Sequence, residues 1–245
     1  MAADDAVDEA CRANVAAVGE VVAAACRRAG RDPAEVTVVA VTKYAGPAVA
    51  RALVAAGCRD LAESRPQELW AKAAALGDLA VPPRWHLVGH LQRNKVRRTL
   101  PLLTLLHSLD SRRLLEALAA EAAAAGRTCA ALVEVNLTDD PQRTGATPAE
   151  AEALVAAAAG LPAVHVRGLM GMARAPDGDP AAARHDFARL RELRDRLAAT
   201  VPGGAGLREL SMGMSGDFEA AILEGATIVR IGSAFVAGLP PETLR

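Results

Sequence analysis

Aromatic residues are nearly missing from this chain of 245 residues, in which three Phe, two Trp and one Tyr amount to 2%. The hydrophobic content of 51% must therefore be carried by Val, Leu, Ile and Ala, and a core of small branched side chains is expected. An excess of either charge is missing too. A net charge of -1 gives no reason to expect a nucleic acid or a membrane surface as partner. The one basic cluster, Arg93, Lys95, Arg97 and Arg98, is short and without interleaved aromatics, so it reads as a solvated helix face. No C-x-x-C pair joins Cys11, Cys26, Cys58 and Cys129; their scatter argues against a disulfide framework or zinc ribbon and fits free thiols in a reducing cytoplasm. The chain opens with Asp4, Asp5, Asp8 and Glu9, where a signal peptide needs positive charge and then an apolar run. Ala-rich runs such as Ala117–Ala125 are broken by Glu121 and are too short to span a bilayer. A cytoplasmic protein is expected.

What the chain does have is a repeating strand-and-helix pattern. Val7, Cys11, Val15, Val18, Val22 and Cys26 form one apolar stripe of a leading helix, closed by Gly30 and Pro33. Glu35–Gly46, read E-V-T-V-V-A-V-T-K-Y-A-G, follows as a β-branched run with the character of a strand buried on both faces. Helices are expected at Pro47–Ala56, Pro66–Leu76, from about Arg93, from Ser111 to Ala125, from Thr147 to Gly160, over Ala181–Ala199 and over Asp217–Leu223. Strands are expected between them at Arg59–Glu63, Arg84–Gly89, Leu105–Leu109, Cys129–Leu137, Val164–Met172, Leu207–Ser211 and Thr227–Gly232. Asp139-Asp140-Pro141 reads as a turn, and Glu192 with Arg196 as an exposed i,i+4 pair.

Eight strand–helix units after one leading helix predict an α/β fold: a single (β/α)8 barrel of TIM type, typically about 250 residues long. The expected layout is one domain over 1–245, with the leading helix at 1–30 and the barrel over about 36–238. An open doubly wound sheet is the alternative, but the first strand–helix turn, T-K-Y-A-G-P, has no G-x-G-x-x-G.

In such barrels the site lies at the C-terminal ends of the strands, with phosphate often held after strands seven and eight. Lys43 leaves strand one there. Either it reaches water as a surface lysine, or burial lowers its pKa and frees an amine able to form an imine with an aldehyde. After strand seven comes S-M-G-M-S-G-D, in which Ser215 is either a helix cap or a phosphate ligand. After strand eight comes R-I-G-S-A, where Gly232 and Ser233 offer backbone N–H groups. Arg230 lies between Val229 and Ile231 and so faces the other side of the strand. If that side is the barrel interior it is a buried cation, paired with Glu134 or Glu63 or facing a ligand. A phosphate, a ring acceptor and an aldehyde would together satisfy these groups, as in pyridoxal 5′-phosphate (PLP), although phosphosugar aldolases also combine lysines with phosphate loops in this fold. His86 and His90 are four apart on a strand and its loop, too far to share a metal without a sharp turn, so no metal site is expected.

Five motifs in order carry a resemblance over nearly the whole chain from Val36 to Gly238: A-V-T-K at 40–43, W-H-L-V-G-H-L-Q-R-N-K at 85–95, R-G-L-M-G-M at 167–172, S-M-G-M-S-G-D-F at 211–218 and V-R-I-G-S-A at 229–234. The sequence resembles the pyridoxal phosphate homeostasis proteins, single-domain barrels similar to the N-terminal domain of alanine racemase. The resemblance implies that Lys43 holds PLP as an internal aldimine, that Arg230 faces the pyridine nitrogen, and that Ser215, Gly232 and Ser233 help bind the phosphate, with Met214 in the same loop beside the cofactor. Arg143-Thr144-Gly145 matches the family's loop after strand five. The chain departs from the family's F-G-E-N-Y-V-Q-E at Leu61–Glu68, where Ser64 stands in place of the usual Asn.

The resemblance favours a PLP-binding protein of intracellular PLP homeostasis that buffers or delivers the cofactor, to PLP-dependent apoenzymes if to any partner, without turnover and with no catalytic residue. A racemase-like PLP enzyme acting on amino acids is the alternative. A two-base racemase needs a second proton acceptor, supplied in alanine racemase by a Tyr of a separate domain. The chain is expected to lack that domain, and its only Tyr, Tyr44, is expected to point elsewhere. A Schiff-base phosphosugar lyase using Lys43 is the third reading. A monomer is expected.

Overall fold

The computed structural model describes residues 2–138, 140, 143–174 and 180–244. Of the turn expected at Asp139–Pro141, Asp139 and Pro141 lie outside the described residues. The leading helix α1 covers Ala2–Ala29. The strand–helix units then follow as β1 (Thr37–Val41), α2 (Pro47–Ala55), β2 (Asp60–Glu63), α3 (Pro66–Ala75), β3 (Arg84–Leu87), α4 (Val96–Thr99), β4 (Leu103–Leu109) and α5 (Arg112–Ala124). The second half continues as β5 (Cys129–Val135), α6 (Pro148–Ala158), β6 (Val164–Gly171), α7 (Pro180–Thr200), β7 (Glu209–Ser211), α8 (Phe218–Leu223) and β8 (Ile228–Ile231). Every strand pairs in parallel with the next, and β8 returns to β1 through Thr37↔Ile228, closing the barrel.

Local chemistry accounts for the helix starts. Pro stands in the first turn of α2, α3 and α6, where its missing N–H costs nothing. Ser111 Oγ accepts from Leu114 N–H ahead of α5, and Thr147 and Glu150 cap α6 reciprocally. Three expectations are corrected. The basic helix from Arg93 is one turn, α4, between 3-10 turns at Arg93–Lys95 and Leu100–Leu102, because Pro101 cannot continue it. Strand β7 starts at Glu209 rather than Leu207, whose N–H is taken by Gly204 O at 2.8 Å. Arg196 reaches across to Glu152 of α6 at 2.9 Å instead of pairing with Glu192.

Side chains alternate between two cores. The larger lies between strands and helices and includes Leu61, Leu69, Leu106, Leu118, Phe187 and Leu210. Each such fully buried side chain contributes about 1.5–3 kcal/mol of transfer free energy. The smaller fills the barrel interior with Val39, Ala62, Leu105, Leu132, Met170 and Ile228. Val229 and Ile231 belong to the outer core, so Arg230 points into the barrel with Ile228. That inward arginine lies at the strand end where the loops gather.

Candidate functional site

A cleft of about 410 Å³ opens at the C-terminal ends of the strands. Lys43, Met214, Ser215, Arg230, Gly232 and Ser233 all line it, as do Tyr44, Ser64, Met170 and Met172. The six residues singled out in the sequence thus come together in one place, Arg230 from β8 itself and the others from the loops after β1, β7 and β8.

Lys43 sits in the turn after β1 and is exposed, so the buried lysine considered from the sequence is not what folds. Its Nζ lies 4.8 Å from the centre of the Tyr44 ring. Tyr44 therefore does not point elsewhere; it is 59% exposed and lines the same cleft. The turn is anchored from behind. Lys72 Nζ donates to Thr42 O at 2.7 Å and to Glu63 Oε1 at 2.5 Å, while Thr42 Oγ1 donates to the same carboxylate oxygen at 2.6 Å.

Ser215 is not a helix cap. Asp217 occupies the cap position of α8, and its Oδ1 accepts from Met214 N–H at 2.6 Å. Ser215 Oγ instead accepts from Gly232 N–H at 3.2 Å, tying the loop after β7 to the loop after β8. Gly213 makes the first loop possible: at φ +91° a Cβ would lie 2.6 Å from Ala221 Cβ and 2.8 Å from Phe218 Cα. The backbone N–H groups of Ser215, Gly216, Ser233 and Ala234 have no acceptor among the described residues. Such a donor set on two adjoining loops suits an anionic group.

Arg230 is 4% exposed. It pairs with neither Glu134 nor Glu63. Nη1 donates to Ser211 Oγ at 2.7 Å and Nη2 to Gly171 O at 3.1 Å, while Glu134 accepts from Thr144 and Glu63 is held by Lys72 and Thr42. Two of the five guanidinium N–H groups are thereby used, which leaves donors for a ligand acceptor. Burial pushes its pKa down to about 10, against the pull of Asp217 and Glu134, so the side chain stays charged at neutral pH. Burial also raises the Glu134 carboxyl above its ordinary range, although the Thr144 hydrogen bond opposes this.

The histidines part company. His86 lies inside the barrel, its Nε2 at 3.0 Å from Asp60 Oδ1, whereas exposed His90 faces Asp110 at 3.1 Å. Among the described residues no cluster of His, Cys, Asp or Glu is arranged to hold a metal, and no helix is long and apolar enough to cross a membrane. Sequence reasoning missed Ser211 and Met170 as neighbours of the site, while Ser64 entered only through the family's Asn at that position. Alternation with the outward Leu169 of β6 and Leu210 of β7 was the one signal for Met170 and Ser211.

Comparison with known proteins gives these features a context. Residues 13–240 match the family described as alanine racemase, N-terminal domain. The pyridoxal phosphate homeostasis protein of Pseudomonas aeruginosa is 40% identical over 221 residues, 90% of this chain and 92% of the relative. Among solved structures, a protein from Bifidobacterium adolescentis described as unknown has a TM-score of 0.86 and 35% identity, covering 94% of this chain and 96% of its own. PipY of Synechococcus elongatus, solved with PLP bound, has a TM-score of 0.78 and 36% identity, covering 89% of this chain and 99% of its own. With its closed barrel and these matches across nearly its whole length, the chain belongs to the pyridoxal phosphate homeostasis protein family, related to the alanine racemase N-terminal domain.

Proposed function

We propose that the cleft binds PLP and that the protein buffers or delivers the cofactor inside the cell rather than turning over a substrate. The observation that carries this reading is the meeting of a free primary amine, a buried guanidinium and four acceptor-less N–H groups around one cleft of about 410 Å³. The donor set fits the group. Ser215, Gly216, Ser233 and Ala234 would hold the phosphate through their backbone N–H groups, Arg230 would face the ring nitrogen, and Lys43 would meet the aldehyde. When bound, PLP supplies an aldehyde that condenses with a primary amine and a conjugated ring that can draw electrons.

The residues around it favour holding over turnover. Arg230 keeps its proton at neutral pH, so it donates to the ring nitrogen without protonating it, and an unprotonated ring is a poor electron sink. Among the described residues lining the cleft, the ionisable side chains are Lys43, Tyr44 and Arg230. The one candidate for a second proton acceptor among them is Tyr44, which sits next to Lys43 in the same turn with its ring beside Lys43 Nζ. On this reading the protein is a cytoplasmic monomer, in keeping with its four buried free cysteines, and apoenzymes are the recipients of its cofactor.

Absorbance titration of the purified protein with PLP tests the reading. The wild type is expected to develop a visible band that saturates, and Lys43→Ala to show none. A wild type that stays colourless in excess cofactor overturns the proposal and brings the phosphosugar reading forward.

A further inference from the structure

The barrel interior is not wholly apolar. A line of polar side chains runs through it from the N-terminal rim to the cleft. Arg230 Nη1 donates to Ser211 Oγ at 2.7 Å, Ser211 Oγ lies 2.8 Å from His107 Nδ1, and His107 Nε2 lies 2.9 Å from His86 Nδ1. His86 Nε2 is 3.0 Å from Asp60 Oδ1, and exposed Arg84 donates to Asp60 Oδ2 at the far rim. Ser211, His107, His86, Asp60 and Arg230 are each at most 6% exposed.

A guanidinium only donates, so Ser211 Oγ accepts from Arg230. The one other hydrogen-bond neighbour of that hydroxyl among the described residues is His107 Nδ1, and in the arrangement that needs no extra proton Ser211 donates to it. His107 is then protonated at Nε2 and donates to His86 Nδ1, which leaves His86 protonated at Nε2 and donating to Asp60. Every link is satisfied with both imidazoles neutral. Reversing the direction requires one more proton, on His86 or on Asp60. The surroundings agree with a neutral His107 and an ionised Asp60. Burial, with His86 and Arg230 nearby, holds His107 well below the ordinary histidine range. Burial works to raise Asp60, but hydrogen bonds from His86 and Arg84 outweigh it and keep the carboxylate ionised. Glu134 and Asp217 act on the guanidinium through space, whereas this chain is bonded to it.

We propose that Ser211, His107, His86 and Asp60 are positioning residues: they fix the Arg230 guanidinium in one orientation and couple its charge to the Asp60 carboxylate at the opposite end of the barrel, setting how strongly Arg230 donates to the ligand. The inference rests on the reading that the cleft takes PLP. A network that merely filled the core would affect stability and leave the bound ligand's spectrum alone.

Asp60→Asn tests it, because the amide oxygen still accepts from His86 while the charge is gone. In the PLP-loaded variant the visible band is expected to shift from its wild-type position and affinity to fall roughly two- to thirtyfold, the range of energetic coupling along such networks. Competition by inorganic phosphate is expected to be unchanged. Ser211→Ala, which cuts the last link, should shift the band in the same way and serves if Asp60→Asn does not fold. Folded variants with wild-type band and affinity overturn the proposal. Long-range 1H–15N spectra of histidine-labelled wild type without ligand give a separate arm. His86 and His107 protonated at Nε2 are expected, and His107 protonated at Nδ1 overturns the chain. A wild type that forms no band refutes the PLP reading instead, and the spectra then decide the chain alone.

Discussion

Lys72→Met is expected to destabilise the protein by about 3–5 kcal/mol, the loss found when one partner of a buried ion pair is removed. Lys72 is 4% exposed and Glu63 fully buried. The ammonium is bonded to Glu63 Oε1 at 2.5 Å, and Glu63 Oε2 has no hydrogen-bond partner. Methionine fills the space of the lysine stem but leaves the carboxylate with Thr42 Oγ1 as its remaining donor. Urea unfolding reads the effect. The double variant Lys72→Met with Glu63→Leu should recover most of it, since a well-packed apolar pair often equals a buried ion pair. A single-variant loss below about 1 kcal/mol would show that the pair is not isolated from water. Because Lys72 also holds Thr42 O, next to Lys43, the folded fraction of the single variant should bind PLP more weakly than wild type.

Arg230→Met is expected to weaken PLP binding by about 10- to 150-fold, the equivalent of one charge-assisted hydrogen bond at about 1.5–3 kcal/mol. The loss has two parts. The ring nitrogen has no charged donor, and Gly171 O loses the Nη2 hydrogen bond that anchors this wall of the cleft. Arg230→Lys should fall between, since it keeps the charge but not the planar fork that spans Ser211 and Gly171. Equal affinity and an unchanged band in folded Arg230→Met would remove the arginine from the ligand.

The barrel was legible because its signals are local and repeat. The β-branched run at Val36–Val41 reads as a buried parallel strand, and Pro66 or the Thr147–Glu150 capping box marks where a helix starts. Strand alternation likewise places Arg230 on the inner face, opposite Val229 and Ile231. What stayed hidden depends on partners far apart in sequence. His107 and Ser211 are 104 residues apart, and no local pattern says that their strands present them to each other. The same holds for the Arg230 partners: a buried cation calls for a carboxylate, yet the direct partners are a hydroxyl and a carbonyl, with charges acting from further away. Lys43 stays open between burial and exposure in the sequence for a related reason. It stands two residues beyond β1, where the loop geometry, not the strand, decides its exposure.

One amine, Lys43 Nζ, decides whether the cleft holds PLP covalently. Borohydride reduction of the PLP-loaded protein fixes any imine as a stable secondary amine, and peptide mass mapping then locates the pyridoxyl group. The prediction is a single modified site at Lys43, with no label on Lys72, which is buried and paired with Glu63. Label on another lysine, or none in protein that has bound PLP, would contradict it.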